Sequence, residues 1–518
     1  MDADAPLPLD VPTLQALVRG LQAENAQLRT LLQSQAQQFQ RTTDELRAEV
    51  AALTAQLKRA QTHRFGRRSE RTPKLPKAPG AAPARRRHDH GRSPLPAHLE
   101  RRDTVLDLTP EERRCPSCGG DRVCIGQTET EQLDCDPTPY FVLRTIRKTY
   151  ACRQCPPTVP AEQRLRTATP STVGPIERGL CGPGLLAEVI VGKFLDHLPL
   201  HRQAARIARA GVHVAASTLG DWMTRSALLL TPLYELMHRR VLACPVVWSD
   251  DTRSRFAKPG ERVMPHGHFW VTIGDATAPY TAFHFTTGYD AATGPERFLR
   301  GFRGYVHADC LSQYNTLFTD GARHVACWAH ARRKFLGAGE PGTPAVEFIH
   351  QLYHLEHQLP PPDTPERSAA RHAVRQAQAI PILNDLKEWL AATLAAALPK
   401  SAVAVAIRYL TNHWAAFVRY AEDGRLSLDN NLSERTLRLI AVGRSNWKFV
   451  GSAQAGERAA VHFSLVGTCR HLGLDAAAYL RKILPALHVL GEKPTTAQLE
   501  PLLPDVWAKR QRSGLIAA

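Results

Sequence analysis

CPVVWSDD, residues 244 to 251, is an apolar run that breaks off in two adjacent carboxylates. Val246, Val247 and Trp248 are β-branched or aromatic, so the run reads as a buried strand ending in its acids. Outward from it, GHFWVTIGD (267–275) and YTAFHFTT (280–287) read as two more strands separated by a turn. A helical stretch at about 295–303 follows, then the strand GYVHAD (304–309) and HVACWAHARRKF (324–335), a strand running into a basic helix. Three strands in meander order, then alternating helices and strands, predict a mixed α/β sheet. Two acids take corresponding places, Asp250 ending the first strand and Asp309 the fourth. Singly, each is well explained as a turn or helix cap. As neighbours on strands about 4.8 Å apart, the two carboxylates repel unless protonated or bridged by a cation. A hard divalent ion with oxygen ligands resolves that conflict.

A third acid lies in LDNNLSERTLR (428–438), beyond a long helical region at 343–420. Asn431 with Glu434 fits a capping box, and Glu434 with Arg438 has the spacing of a solvated helical ion pair. On this stretch alone that bland reading is the better one. Leu432, Leu439 and Ile440 are expected to form the buried stripe, leaving Glu434 on another face that looks into solvent or into a cleft.

Composition narrows the partners. The chain has 518 residues and a formal charge of +17, too long for one core and basic enough to favour a polyanion, nucleic acid before membrane. The excess is concentrated at 58–102, rich in Pro, Ala and Arg, a segment that cannot bury a core. It reads as a solvated linker with salt-sensitive attraction to phosphates. No long uncharged apolar run occurs, and acids at Asp2 and Asp4 precede the first basic residue, Arg19. Neither a membrane span nor a secretory signal is expected, and the location is expected to be cytoplasmic and nucleoid-associated. In a reducing compartment the C-x-x-C pairs Cys115–Cys118 and Cys152–Cys155 point to metal. Four thiolates close a tetrahedral structural zinc site with no open position for water. PYFVLRTIRKTYA (139–151) is the strand leading into the second pair, Cys124 and Cys135 remain as substitute ligands, and a redox pair is the weaker rival.

Near the start, Leu14, Val18, Leu21, Asn25, Leu28 and Leu32 alternate by four and three, the seam of a coiled coil with an amide at an a position. The seam restarts in another phase at Phe39, Leu46, Val50, Leu53 and Leu57, as across a stutter. Self-association is expected, with a helix packed on its own chain as the alternative. Between 184 and 230, GLLAEVIVGKFL, HRQAARIARA, a turn at Gly211 and STLGDWMTRSALLL read as short helices, with Ser217 as an N-cap. The last two fit a helix-turn-helix that offers Ser217, Thr218, Asp221 and Arg225 to DNA, although any small helical bundle shows the same pattern.

Taken in order, RFGRRSE (64–70), CPSCGG to YACRQC (115–155), the Asp250–Thr252 strand, GYVHADCLSQY (304–314), CWAHARRKF (327–335), LDNNLSERTLR, GRSNWKFVGS (443–452) and GERAA (456–460) resemble the insertion sequence 66 family of DDE transposases. The resemblance implies an RNase H-like catalytic domain, interrupted by a helical insertion, that cuts and joins DNA at the ends of a mobile element. It places the family's three acids on Asp250, Asp309 and Glu434. Relatives read A-D-E-T at the first acid, whereas Ser249, Asp250, Asp251 and Thr252 stand here. A strand turns over at each residue, so only one of the two aspartates faces the metals, and Asp250 is preferred. Three such carboxylates can hold two Mg²⁺ (or Mn²⁺) ions for in-line attack on a phosphodiester. His330, Arg332, Arg333 and Lys334 are candidates for gripping phosphate, and Arg444, Trp447 and Lys448 for holding or stacking on DNA near the cut; a solvated basic face, and core packing for Trp447, are the ordinary alternatives.

The expected organisation is a coiled-coil helix at 11–65, a basic linker at 66–110, a zinc module at 111–160 and a helical DNA-binding segment at 175–235. The catalytic domain follows at 240–455 with an insertion at about 340–420, then a helical element at 456–518. The expected partners are double-stranded DNA, as terminal inverted repeats and target, further copies of the chain, and small accessory proteins of the same element. A non-catalytic DNA-binding regulator derived from a transposase and a structure-selective nuclease are the rival functions.

Overall fold

The computed structural model describes residues 11–65 and 95–513, apart from 98, 136–139, 157, 169–173 and 177–178. Two compact units are separated at Gly91/Arg92. The described part of the first is one helix, Val11–Phe65. Its seam residues Val18, Leu21, Leu28 and Leu32 are each at least half exposed, and Asn25 bonds its own backbone at Leu21. The basic stretch 66–94 lies outside the described residues.

In the second unit a small sheet comes first. Strands β1 (Arg101–Leu106), β2 (Val123–Cys135) and β3 (Tyr140–Ala151) are ordered β1-β3-β2, with β4 (Leu165–Thr167) also on β3. Arg101–Leu106, assigned to the linker from sequence, thus forms a strand parallel to β3. Its chain carries nothing apolar enough to announce it; Asp103 and Asp107 hold it there through Arg144 and Lys148 of β3.

The helices Pro183–Phe194, Leu200–Ala208 and Ala216–Leu242 come next. Gly211, with φ +85°, makes the turn before the last of these. The cap of that helix is Ala215, so Ser217 lies inside its first turn and makes no cap bond, a correction to the sequence reading. Val214 is buried just ahead of the helix, and this drives the entry two residues earlier than the hydroxyl suggests.

The larger sheet has the order β7-β6-β5-β8-β9, built from β5 (Val246–Arg255), β6 (His266–Gly274), β7 (Thr281–Thr286), β8 (Tyr305–Ala308) and β9 (Arg323–Ala326). The first three form the antiparallel meander expected, and β8 and β9 join in parallel. The fold is mixed α/β, as the alternation of elements predicts.

Helix Ala453–His471 covers β7 at the sheet's edge. Ser464 Oγ and Thr468 Oγ1 accept from the amides of Phe283 and Thr281 at 2.8 and 2.9 Å, so the edge is satisfied by side chains instead of another strand. Gly456 lets this helix approach: a Cβ there would lie 2.3 Å from Cδ1 of Phe285, whose ring is itself packed on Phe256 and Phe269. Gly456→Ala is expected to destabilise the chain by about 1–3 kcal/mol through overpacking, measured as a lower denaturation midpoint.

Between β9 and the helix Asn431–Trp447 lies the helical insertion, with helices from Thr343–Gln358 to Trp414–Val418. Its anchor is fully buried Arg375. That guanidinium pairs with Glu356 at 2.7 Å and donates to the carbonyls of Tyr420, Asp423 and Leu426. The insertion therefore grips the loop that enters the helix carrying Glu434.

Candidate active site and zinc module

The parallel pairing of β5 with β8 brings Val246, Val247 and Trp248 opposite Tyr305, Val306 and His307. Trp248 and His307 stack with centroids 5.0 Å apart, and both are buried. Residues two further along share their face, which puts Asp250 beside Asp309. The sequence reading is corrected in one respect: β5 does not end at its acids but continues to Arg255. What stops there is the pairing with β8, after Trp248; β5 runs on against β6 alone, with Asp250 opposite Val271. The antiparallel partner keeps the strand extended past the acids, and the gap on the β8 side opens the space they face. Asp309 follows the last residue of β8, as expected, and its Oδ1 accepts from the Leu311 amide at 3.3 Å.

Asp251 belongs to the other face. Its carboxylate receives His268 Nδ1 at 2.6 Å and Tyr289 Oη at 3.3 Å, and His268 stacks on Tyr289.

Electrostatics ties the three expected acids together. Burial, then the charge of Asp309, with smaller contributions from Asp251 and Glu434, pushes Asp250 up to about 8. Burial also dominates at Asp309, where Asp251 and Glu434 add to the rise and the carboxyl is pushed up to about 6. Raised acid pKa values mean that the fold favours the protonated forms. Their contribution to stability is full below the ordinary carboxyl range near ~4 and is lost as pH rises through 6 to 8. Without Mg²⁺, the melting temperature is expected to fall between pH 5 and pH 8. Asp250→Asn should flatten that fall, by about 2–4 °C for each kcal/mol recovered, in melts of both proteins across that range.

Glu434 reaches the site differently from its sequence reading. The helix Asn431–Trp447 is capped by Asn430 without a side-chain bond, so there is no capping box. Asp429 takes that place, accepting from the Asn431 amide and side chain. Nor does Glu434 pair with Arg438: its carboxylate accepts from Arg333 on helix Trp328–Leu336, with His330 Nδ1 at 3.8 Å. A partner from another helix outcompetes the local one because the buried stripe, Leu437, Leu439 and Ile440, turns Glu434 toward it. Leu432, expected in that stripe, is only partly buried.

Asn430 is the residue sequence reasoning passed over. Fully buried, it donates from Nδ2 to the carbonyl of Ser249 at 2.8 Å, and its amide points at Cys327 Sγ. One side chain thus joins the glutamate helix to the strand position before Asp250. The doubled Asn of LDNN was its only signal.

The expected DNA-contact residues divide. Ser217, Thr218, Asp221 and Arg225 share an exposed face, with Arg225 paired to Asp221 at 2.9 Å, over buried Leu219 and Trp222. Arg332 is exposed, Arg333 is engaged by Glu434, and Lys334 lies over the Tyr409 ring at 4.3 Å. Arg444 bonds Thr252 Oγ1 at 2.9 Å and so braces β5. Trp447 is partly buried against the core beside a cavity of about 290 Å³, and Lys448 is exposed with φ +67°.

In the small sheet the four expected cysteines converge, all Sγ atoms within 4.8 Å of one another. Cys115 and Cys155 are 3.3 Å apart, Cys118 and Cys152 3.5 Å, close to the separation of about 3.8 Å that four 2.3 Å Zn–S bonds impose. β3 delivers Cys152, and the other knuckle turns at Gly119, φ +69°. Burial pushes the Cys115 thiol up, but hydrogen bonds from Cys155 and from the Ser117 and Cys118 amides outweigh it, holding the group at about 6. Cys124 is exposed, and Cys135 belongs to the main core, so neither substitutes. The donor set fits a structural zinc ion. Among the described residues no helix is long and apolar enough to cross a membrane.

Comparison with known proteins agrees with this layout. The family described as Transposase IS66 family matches residues 178–458, the zinc-finger binding domain of transposase IS66 matches 112–156, and the domain described as Transposase C of IS166 homeodomain matches 52–104. In Sinorhizobium fredii (strain NBRC 101917 / NGR234), the uncharacterized protein y4jD is 33% identical over 438 residues, covering 80% of this chain and 82% of its own. The uncharacterized protein y4qI of the same strain is 29% identical over 546 residues, covering 96% and 97%. With three matches of that family in order along the chain, one of them over more than half its length, the chain belongs to the IS66 family of transposases.

Proposed function

We propose that the chain binds the terminal inverted repeats of an insertion sequence and catalyses metal-dependent DNA cleavage and strand transfer, with Asp250, Asp309 and Glu434 as metal-binding carboxylates on an RNase H-like domain. The observation that carries this reading is the convergence of Asp250 and Asp309 at adjacent strands, each raised far above an ordinary carboxyl and each feeling the charge of Glu434. Such repulsion has a cost in folding, and a site that binds divalent cations recovers it. Two Mg²⁺ or Mn²⁺ ions there would activate a water or 3′-hydroxyl and stabilise the leaving oxygen. The residues' own part is placement: Trp248 and His307 fix the strand ends, Asn430 sets the glutamate helix against Ser249, and Arg333 holds Glu434.

Around that centre, the zinc module and the exposed Ser217–Arg225 face would bind the repeats, with Arg332 and Lys448 free to meet phosphate. The long N-terminal helix, with its apolar seam exposed, supports self-association as a coiled coil. Small accessory proteins of the element and a place at the nucleoid complete the reading. The test is a joining assay with terminal-repeat DNA and Mg²⁺, comparing wild type with Asp309→Ala. Joining by wild type alone is expected. Equal joining by both would remove the acids from the mechanism, and binding without joining by either would favour a DNA-binding regulator.

A further inference from the structure

Cys327, His330 and Glu434 form a second cluster, with one ligand atom from each within 4.8 Å of the others. Cys327 is the N-cap of helix Trp328–Leu336 and His330 stands one turn on, so this C-x-x-H stretch presents sulfur and nitrogen on one side. Glu434 supplies an oxygen from the facing helix. We propose that these three residues form a binding site for Zn²⁺ or a similar borderline transition ion, separate from the four-cysteine module.

Three features of the site point the same way. His330 Nδ1 is buried and makes no hydrogen bond, an uncommon state for a polar atom and one that a metal bond satisfies. The Asn430 amide points at Cys327 Sγ at 3.2 Å, the outer-shell donor that holds a ligating thiolate in place. Finally, the position already draws positive charge: the Arg333 guanidinium sits on Glu434 from a half-exposed side chain that can swing away. Arg333 stands where a cation would neutralise the carboxylate.

The donor chemistry sets the ion. Sulfur and imidazole select zinc-like ions over Mg²⁺, which requires oxygen. Three protein ligands with a fourth position open is the arrangement of an accessible zinc site, in contrast to the closed four-sulfur module. Binding releases the Cys327 proton, as deprotonated thiolate is the ligand, and the ion's charge replaces that of Arg333 on Glu434.

The functional consequence rests on the proposed function: an ion here takes the same carboxylate that Mg²⁺ chemistry requires, so micromolar Zn²⁺ would inhibit Mg²⁺-dependent joining. The binding itself needs neither DNA nor activity. Co²⁺ titration of the full chain, followed by thiolate-to-metal absorption, is expected to show one equivalent beyond that taken by the four-cysteine module, with the weaker charge-transfer band of a single thiolate. Cys327→Ser and, in the event that this buried change perturbs folding, the partly exposed His330→Gln should each abolish that extra equivalent and leave the four-sulfur signal. Asp309→Ala should keep it, so failed joining and a failed metal site read differently. Uptake confined to the four-cysteine module, or an extra equivalent that survives both His330→Gln and Cys327→Ser, would overturn the proposal.

Discussion

Asp250→Ala is expected to lower DNA joining by about a thousandfold or more, because a carboxylate that places a metal ion is not replaced by a neighbour, while terminal-repeat binding changes little. Asp251→Asn is the informative partner. The two aspartates are adjacent, and in the sequence only the family resemblance favours Asp250 over Asp251. In the fold, Asp250 shares a face with Trp248 and stands beside Asp309, whereas Asp251 is committed on the opposite face to His268 at 2.6 Å. Losing that nearly buried interaction should cost about 1–3 kcal/mol of stability and leave joining within roughly tenfold of wild type. The measurement is a joining time course beside a denaturation curve for both variants. An Asp251→Asn protein that folds normally and joins nothing, beside an active Asp250→Ala, would shift the catalytic position by one residue.

The second large effect is expected at Cys152→Ser. Zinc bound by four thiolates contributes apparent free energy on the order of 10–16 kcal/mol, and the described core of this module is small: Cys115, Cys152 and Cys155 pack with Val159, while Leu108, Tyr150 and Ala168 form a separate cluster. Beyond that core, the buried Arg122 guanidinium links the carbonyls of Glu112 and Arg114 to that of Gln163. Loss of one sulfur should remove the structural zinc and the order of the knuckles, and with them most terminal-repeat affinity. The large sheet has its own core and should keep its cooperative unfolding transition. Elemental analysis of the purified variant, a binding isotherm and a melt would check the three parts. Full zinc content with unaltered binding would show that the module neither depends on Cys152 nor serves recognition as proposed.

Much of this architecture is legible in one dimension because its periodicities are strong. The alternating and apolar runs of β5 to β9 lie within a residue or two of their expected places, β5's extension to Arg255 apart, and the four zinc ligands follow from two C-x-x-C turns. Where the reading failed, another contact had displaced the expected one, a near neighbour at the helix cap and a residue distant in sequence at Glu434 and β1. Asn431 looked like a cap, yet Asp429 does that work; Glu434 looked paired with Arg438, yet Arg333, a hundred and one residues earlier, holds it. β1 was taken for linker because the partners that hold its acids in the sheet, Arg144, Lys148 and Tyr150, come from β3.

Composition and spacing by themselves determined the mixed α/β class, the basic character and the four-sulfur module, since each follows from local chemistry along the chain, whereas Glu434 was singled out by the family resemblance. Only tertiary structure decided which aspartate faces Asp309, what partner Glu434 takes, and that Cys327 and His330 stand beside it. Those outcomes depend on strand register and on the approach of two helices, and both are set by burial of apolar faces whose partners lie far away in the sequence.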